Sequence, residues 1–285
     1  AQLICPAAAG TILMTTGLPG VILIDFLTYL FAAGILFFVK FPRQQRIREI
    51  DADKLRFVKE ILYSWQYLTA RQGLIGLLIF FMMINFISGM INALLIPLML
   101  DIASEEVVGI FGSIVGAGML SGTLVMSYWG GPKKRVFGMM SLMAMEGIFV
   151  MLLGFRESIA LISVAVFCCL FIDPIINGTS QALWQSKVAQ GIQGRVFSMR
   201  RMIAWSTTPL AYILAGYLAD NIFTPLLNVN GLLANSAGRI IGVGPGRGTR
   251  LLFIILGALM VLVSSLSYTH PRLRRLEEEL PDAFD

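Results

Sequence analysis

Long apolar stretches separated by short polar segments make up most of this chain, and no window alternates apolar and polar residues with period two. A helix needs roughly 20 mainly apolar residues to cross a bilayer. The pattern therefore predicts an all-α polytopic membrane protein with seven full spans after an incomplete one. The incomplete span is predicted at 1–16, and the full spans at 18–39, 72–100, 107–128, 136–154, 158–184, 198–219 and 249–268.

The connections between these spans predict the domain organisation. Residues 1–39 form the end of an N-terminal helical half, and the polar segment 40–71 is a linker. Residues 72–270 hold six spans, and 271–285 form a polar tail. Because the chain begins inside an apolar segment, "AQLICPAAAG", we expect it to be a piece of a longer protein.

Apolar residues recur at helical spacing in the linker, at Phe57, Ile61, Trp65 and Leu68, among lysines and arginines. This pattern over 53–71 predicts a basic amphipathic helix that lies on the inner membrane surface. The alternative is a helix that binds a partner protein.

Composition supports membrane insertion. The chain is 56% hydrophobic and 14% charged, with a mean hydropathy of +0.78, whereas soluble domains have about 25% charged residues. The net charge of +5 does not indicate nucleic-acid binding, because the basic residues form short clusters between apolar runs.

Those clusters predict an orientation. If the linker is cytoplasmic, connections on its side carry 18 of the 22 basic residues, and the other side carries Arg156, Arg239, Arg247 and Arg250. The positive-inside rule then places the C-terminus in the cytoplasm.

Asp173 interrupts an apolar run, "FCCLFIDPIINGTSQALW", near the middle of its predicted span. A carboxylate at this depth costs about 2.5–3.5 kcal/mol on insertion scales, so such residues usually face a cavity. Asn177 and Gln181 follow on the same helical face, and Pro174 weakens the helix locally. We interpret Asp173 as a proton-coupling residue with Asn177 and Gln181 in a substrate cavity; the alternative is packing between helices.

Asp25 and Glu146 are two further acidic residues inside predicted spans. Each is a candidate for proton coupling or for a contact between helices. Asn85, Ser88 and Asn92 form a polar stripe on span 72–100. The stripe either lines the substrate cavity or makes interhelical hydrogen bonds.

Glycines in "GIFGSIVGAGMLSG" repeat at four-residue spacing. Small residues at this spacing let another helix approach closely, so we expect packing contacts. The candidates are Gly112, Gly116, Gly118 and Gly122.

Catalytic chemistry is not expected from this sequence. The cysteines, Cys5, Cys168 and Cys169, lack metal-site spacing, and the single histidine, His270, has no nucleophile or second ligand nearby. We therefore expect no enzyme activity, no cofactor and no metal.

A long cytoplasmic linker, six following spans and an inner C-terminus resemble the second half of the major facilitator superfamily. Local sequence resembles its macrolide-efflux-type branch of drug–proton antiporters. The resembling stretches are "AQLICPAAAGTILMTTGLPGVILIDFLTYLFAAGILFFVKFP" (the end of helix 5 and all of helix 6), "GIQGRVFSMRRMIAWSTTPLAYILAGYLAD" (loop 10–11 and helix 11) and "GVGPGRGTRLLFIILGAL" (entry to helix 12).

This resemblance implies a secondary active transporter that exports a small amphipathic drug or metabolite by proton antiport across the cytoplasmic membrane. It implies that helices 1–4 and part of helix 5 precede this chain. The expected partners are the substrate, protons, membrane lipids and those preceding helices, with no nucleic acid. The alternatives are a lysophospholipid or siderophore exporter, or a truncated paralogue without transport.

Overall fold

A computed structural model describes residues 19–20, 22–35, 62–63, 65–102, 105–228, 231–244 and 246–279. The predicted incomplete span at 1–16 and most of the predicted linker helix, 53–61 with 64, lie outside these residues. The chain divides into two compact units, Ala1–Phe57 and Val58–Asp285. The boundary between them falls inside the segment predicted as a linker.

The first unit contains helix α1, Ile22–Ile35, which is the described part of the first full span predicted. Its side chains are mostly exposed, including Asp25.

Among its described residues, the second unit contains six helical segments that are long and apolar enough to cross a membrane, at the six places predicted from the sequence. They place Val58–Asp285 in the class of polytopic helical membrane proteins. The main helices are α2 (Gln72–Leu100), α3 (Glu105–Trp129), α4 (Arg135–Phe155), α5 (Ile159–Lys187), α6 (Gln193–Trp205), α7 (Thr208–Leu218), α8 (Thr224–Leu226), α9 (Gly238–Ile241), α10 (Arg247–Thr269), α11 (Pro271–Arg274) and α12 (Leu276–Glu279).

The span predicted as one helix over 198–219 is instead interrupted. The segment Gln190–Leu226 contains a 3₁₀ turn at Gln190–Ile192, then α6, α7, a π-helical turn at Ala219–Phe223 and α8. The break between α6 and α7 lies at 206–207, just before Pro209. Proline has no N–H, so the Trp205 carbonyl cannot make its normal bond four residues on, which weakens the helix here. Proline does not by itself break a helix in this protein, because α2 and α5 continue through Pro97 and Pro174.

Helix α3 packs against α5 through its glycines. A Cβ atom on Gly118 would lie 2.9 Å from the Phe167 carbonyl oxygen, and one on Gly122 would collide with the Phe171 backbone. Gly116 is also buried, whereas a Cβ atom on Gly112 would meet no described atom within 4 Å. The two later glycines therefore allow two helix backbones to approach closely.

Helix α10 packs on α4 in the same manner and lies behind it, away from α5. Gly147 faces the Gly257 carbonyl oxygen at 2.8 Å from its ideal Cβ position. Gly154 lies similarly against the Arg250 backbone. These contacts hold α4 between α5 and α10, so that one face of α4 is left for the interior of the bundle.

The segment predicted as a polar tail is ordered against the bundle over 271–279. Leu273 and Leu276 are buried over Gly76 and Gly73 of α2. Glu277 then contacts the start of α4, where its carboxylate accepts a hydrogen bond from the Val136 N–H at 3.2 Å. The described part of the tail therefore connects α2 with α4 at one end of the bundle.

Candidate functional site

A cavity of about 1180 Å³ lies within the second unit. Its walls come from α2, α4, α5, α6 and α7, while α3 and α10 contribute no lining residue. The arrangement follows from the packing above, because α3 covers the outer face of α5 and α10 covers that of α4. The uncovered faces of α4 and α5 are left to enclose the cavity with α2 and α6.

Asp173 lies in this cavity, at the middle of the 29-residue helix α5. Its carboxylate oxygen Oδ1 accepts a hydrogen bond from the Asn177 side chain at 2.8 Å, and its backbone oxygen accepts one from the same amide nitrogen at 3.0 Å. Among the described residues, the hydrogen bonds of the Asp173 carboxylate stay within its own helix. The Asp173 carboxylate therefore lines the cavity without making a described hydrogen bond to a neighbouring helix.

Glu146 lines the same cavity from the middle of α4, a 21-residue helix. Its contact with α5 is made by the backbone: the Glu146 backbone oxygen accepts a weak hydrogen bond from the Cys169 thiol at 3.8 Å. The structure thus brings two candidate proton-coupling carboxyl groups, from two helices, to one cavity.

The polar stripe on α2 also faces the cavity. Asn85, Ser88 and Asn92 all line it, and the Asn85 and Asn92 amides donate to the Phe81 and Ser88 backbone oxygens at 2.7 and 2.8 Å. These bonds satisfy one amide N–H each inside the same helix. No interhelical bond from this stripe occurs among the described residues.

Gln181 completes the polar face of α5, and it bonds to a residue that the sequence reasoning did not propose for the site. The Arg200 guanidinium donates to the Gln181 Oε1 at 3.3 Å and to the Ser180 hydroxyl oxygen at 2.8 Å. Arg200 and Arg201 were counted above as cations of a cytoplasmic connection, yet both line the cavity. The sequence signal for Arg200 was an arginine at the start of an apolar span. An arginine at such a position can lie either in a connection or in a cavity, so this signal did not decide between them.

The cavity has further polar groups that the sequence did not single out, namely Ser198, Thr208 and Tyr212 of α6 and α7. Their positions depend on the break at 206–207, which the sequence reasoning did not predict. Asp25, the third candidate acid, lies on α1 in the other compact unit.

The arrangement combines a large apolar wall with a few polar groups at separate positions. Apolar lining residues such as Phe81, Ile91 and Leu170 surround the polar groups of α2 and α5. This mixture is typical of small-molecule sites, in which apolar surface supplies affinity and a few polar groups fix orientation. Carboxyl groups in such a place can also hold and release a proton.

A charged cluster lies at a different place, between α4 and α10. Glu157 pairs with Arg247 at 2.8 Å and with Arg250 at 3.4 Å. Arg250 is only 2% exposed, and its terminal nitrogens make no hydrogen bond to a described residue. The cluster joins the connection after α4 to the start of α10.

The fold is that of a polytopic helical membrane protein with a cavity between its helices. A sequence profile of the Major Facilitator Superfamily matches residues 1–212, and the chain belongs to this superfamily.

The curated relatives that the chain matches are named as efflux proteins. The chain is 27% identical over 226 residues to Macrolide efflux protein A of Streptococcus pyogenes, an alignment that covers 77% of this chain and 55% of that protein. It is 26% identical over 214 residues to Macrolide efflux protein A of Enterococcus faecalis, covering 73% and 65% respectively. The chain therefore spans about half to two thirds of the length of these relatives. No solved structure matches it significantly.

Proposed function

We propose that this chain is the C-terminal portion of a secondary active transporter that exports small amphipathic compounds by proton antiport. The observation that carries the proposal is the single cavity lined by Asp173 and Glu146, each at the middle of a membrane-spanning helix. Its similarity to Macrolide efflux proteins supports export as the direction of transport.

The cavity suits a drug-sized molecule. Its volume of about 1180 Å³ exceeds the roughly 300–1,000 Å³ of common small-molecule pockets. Its wall offers aromatic and aliphatic surface together with amide, hydroxyl and charged groups. An amphipathic cargo would bury its apolar part against Phe81 and Leu170 and present its polar part to the asparagines.

Proton coupling would use the two carboxyl groups. A charged carboxylate inside a membrane is costly, whereas a protonated one is neutral, so proton binding and cargo binding can compete at the same site. Asn177 would support Asp173 when it is charged, because its amide already donates to the carboxylate oxygen. Alternating access would then expose the loaded carboxyl group to either side of the membrane in turn.

The orientation belongs to the same proposal. With Arg200 and Arg201 assigned to the cavity wall, 16 of the 22 basic residues remain in connections on the linker's side, which favours a cytoplasmic linker and a cytoplasmic C-terminus in the cytoplasmic membrane.

The test is a transport assay in proteoliposomes with the full-length transporter that contains this chain. Asp173→Asn and Glu146→Gln keep side-chain shape and remove titration. We expect Asp173→Asn to abolish dye export driven by a pH gradient while cargo exchange at equal pH continues. Glu278→Gln is the matched control, because Glu278 is an exposed acid outside the cavity.

Gradient-driven export at the wild-type rate by both cavity variants would refute proton coupling through these residues. Absence of any transport by the wild-type protein would favour a paralogue without transport activity.

A further inference from the structure

Arg200 places a positive charge in the cavity wall. The side chain is partly buried, and two of its nitrogens donate to uncharged oxygens of α5, at 2.8 Å to Ser180 and 3.3 Å to Gln181. These bonds fix the position of the guanidinium group on the wall formed by α5 and α6.

Aromatic rings lie against this guanidinium group. Its central carbon is 4.9 Å from the ring centroid of Trp184 and 5.9 Å from that of Phe81. Trp184 is fully buried, so the charge is attracted to an aromatic surface that water does not reach. The guanidinium group is therefore held in one place before any cargo binds.

The described residues do not neutralise the charge of Arg200. No carboxylate of the described residues lies within ion-pair distance of its nitrogens. Of the two acids in the cavity, Asp173 is bonded to Asn177 and Glu146 lies on α4. Eight residues of α5 separate Asp173 from Gln181, which is roughly 12 Å along the helix axis.

A guanidinium group has five N–H donors in a planar fork that matches a carboxylate. The bonds to Ser180 and Gln181 use only part of this capacity. A desolvated cation without an anionic partner is unfavourable, and an anionic group of the cargo would offset that cost.

We propose that Arg200 forms an anion subsite of the cavity, which binds a carboxylate of an amphipathic cargo. The inference rests on the proposed function, since it takes the cavity as the cargo site. It adds a substrate class, namely amphipathic zwitterions whose carboxylate binds Arg200 while a cationic group points toward Asp173 and Glu146. The separation of Asp173 from Gln181 along α5, roughly 12 Å, sets the distance between the two charges of such a cargo.

Two dyes that differ in one group test this subsite. Tetramethylrhodamine has a free carboxylate, and its methyl ester is the same fluorophore without it. Equilibrium binding of each dye to the purified full-length transporter is measured by fluorescence anisotropy, for the wild type, Arg200→Gln and Arg200→Lys. The comparison variant is Arg195→Gln, since Arg195 is an exposed arginine of the same helix, α6, and does not line the cavity.

Arg200→Gln is expected to weaken binding of the carboxylate dye about tenfold or more and to change binding of the ester less than about threefold. Arg200→Lys should recover part of the loss, because it keeps the charge without the fork. Arg195→Gln should bind both dyes as the wild type does. Ser180→Ala, which removes the 2.8 Å bond, should weaken binding of the carboxylate dye selectively, but by less than Arg200→Gln does.

Equal losses for both dyes with Arg200→Gln would show that Arg200 supports the cavity wall, and unchanged binding would also overturn the subsite. If Arg200→Gln does not fold, the Ser180→Ala and Arg200→Lys binding ratios decide the question. Failure of the proposed function would give a different result: the wild-type protein would bind the dyes but would export neither of them along a pH gradient.

Discussion

The Asn177 amide donates a hydrogen bond to the Asp173 carboxylate oxygen Oδ1 at 2.8 Å, one helical turn along α5. Both residues line the same cavity, so the pair presents a carboxylate with its own donor to the site where cargo would bind. This local pair allows one sharp test of how the carboxyl group acts.

Replacing Asn177 with Leu removes this donor and leaves a side chain of similar size. A hydrogen bond to a charged group contributes about 1.5–3 kcal/mol, so the ionised state of Asp173 loses support. We expect export driven by a pH gradient to slow, while cargo exchange at equal pH is affected less. Both rates can be measured in the same proteoliposomes.

Asn221→Leu is the matched control, because the Asn221 amide also donates to a backbone oxygen four residues earlier, at 3.3 Å to Tyr217, but does not line the cavity. Equal effects of the two substitutions would argue against a specific role for the Asp173–Asn177 pair.

Gly122→Ala should destabilise the protein, because the added methyl group would collide with the Phe171 backbone on α5. Overpacking of this kind costs about 1–3 kcal/mol. The thermal midpoint of the full-length transporter in detergent should fall. Gly112→Ala serves as the control, because no described atom lies within 4 Å of its new methyl group. If Gly112→Ala lowers the midpoint as much as Gly122→Ala, the close α3–α5 approach is not the cause.

Glu277→Ala should also lower stability. Lys134, at the N-cap of α4, makes no side-chain capping bond, and the Glu277 carboxylate supplies an acceptor to the Val136 N–H instead. Loss of a helix cap costs about 0.5–2 kcal/mol, and a negative charge near a helix N-terminus is favourable. The expected result is a lower thermal midpoint than for Glu278→Ala, which changes an exposed neighbour. Identical midpoints for the two variants would contradict capping by the tail.

The proposed orientation predicts opposite labelling of two single cysteines in a background without Cys5, Cys168 and Cys169. Lys134→Cys lies in the basic connection before α4, and Ser236→Cys lies in the connection between α8 and α10; both positions are exposed. In intact cells, a membrane-impermeant maleimide should label Ser236→Cys and leave Lys134→Cys unlabelled until the membrane is opened. Labelling of Lys134→Cys but not of Ser236→Cys in intact cells would show that the orientation is the opposite of the proposed one.

Much of this protein could be predicted from sequence because membrane insertion is a local property. An apolar run of about 20 residues predicts a helix without reference to the rest of the chain, and the six long helical segments of the second unit occur where such runs do. The same reasoning placed Asp173, Asn177 and Gln181 on one face, since residues four apart share a face of any α-helix.

The tertiary structure decided which of these faces meet. Residues on α2, α4, α5, α6 and α7 line one cavity, while close glycine contacts pack α3 on α5 and α10 on α4. Sequence spacing within one helix contains no information about its neighbours. It also decided the place of Arg200, which basic-residue counting assigned to a connection, and of Leu276 and Glu277, which contact α2 and α4. Contacts between distant segments depend on how backbones pack, and hydropathy along the chain does not determine that.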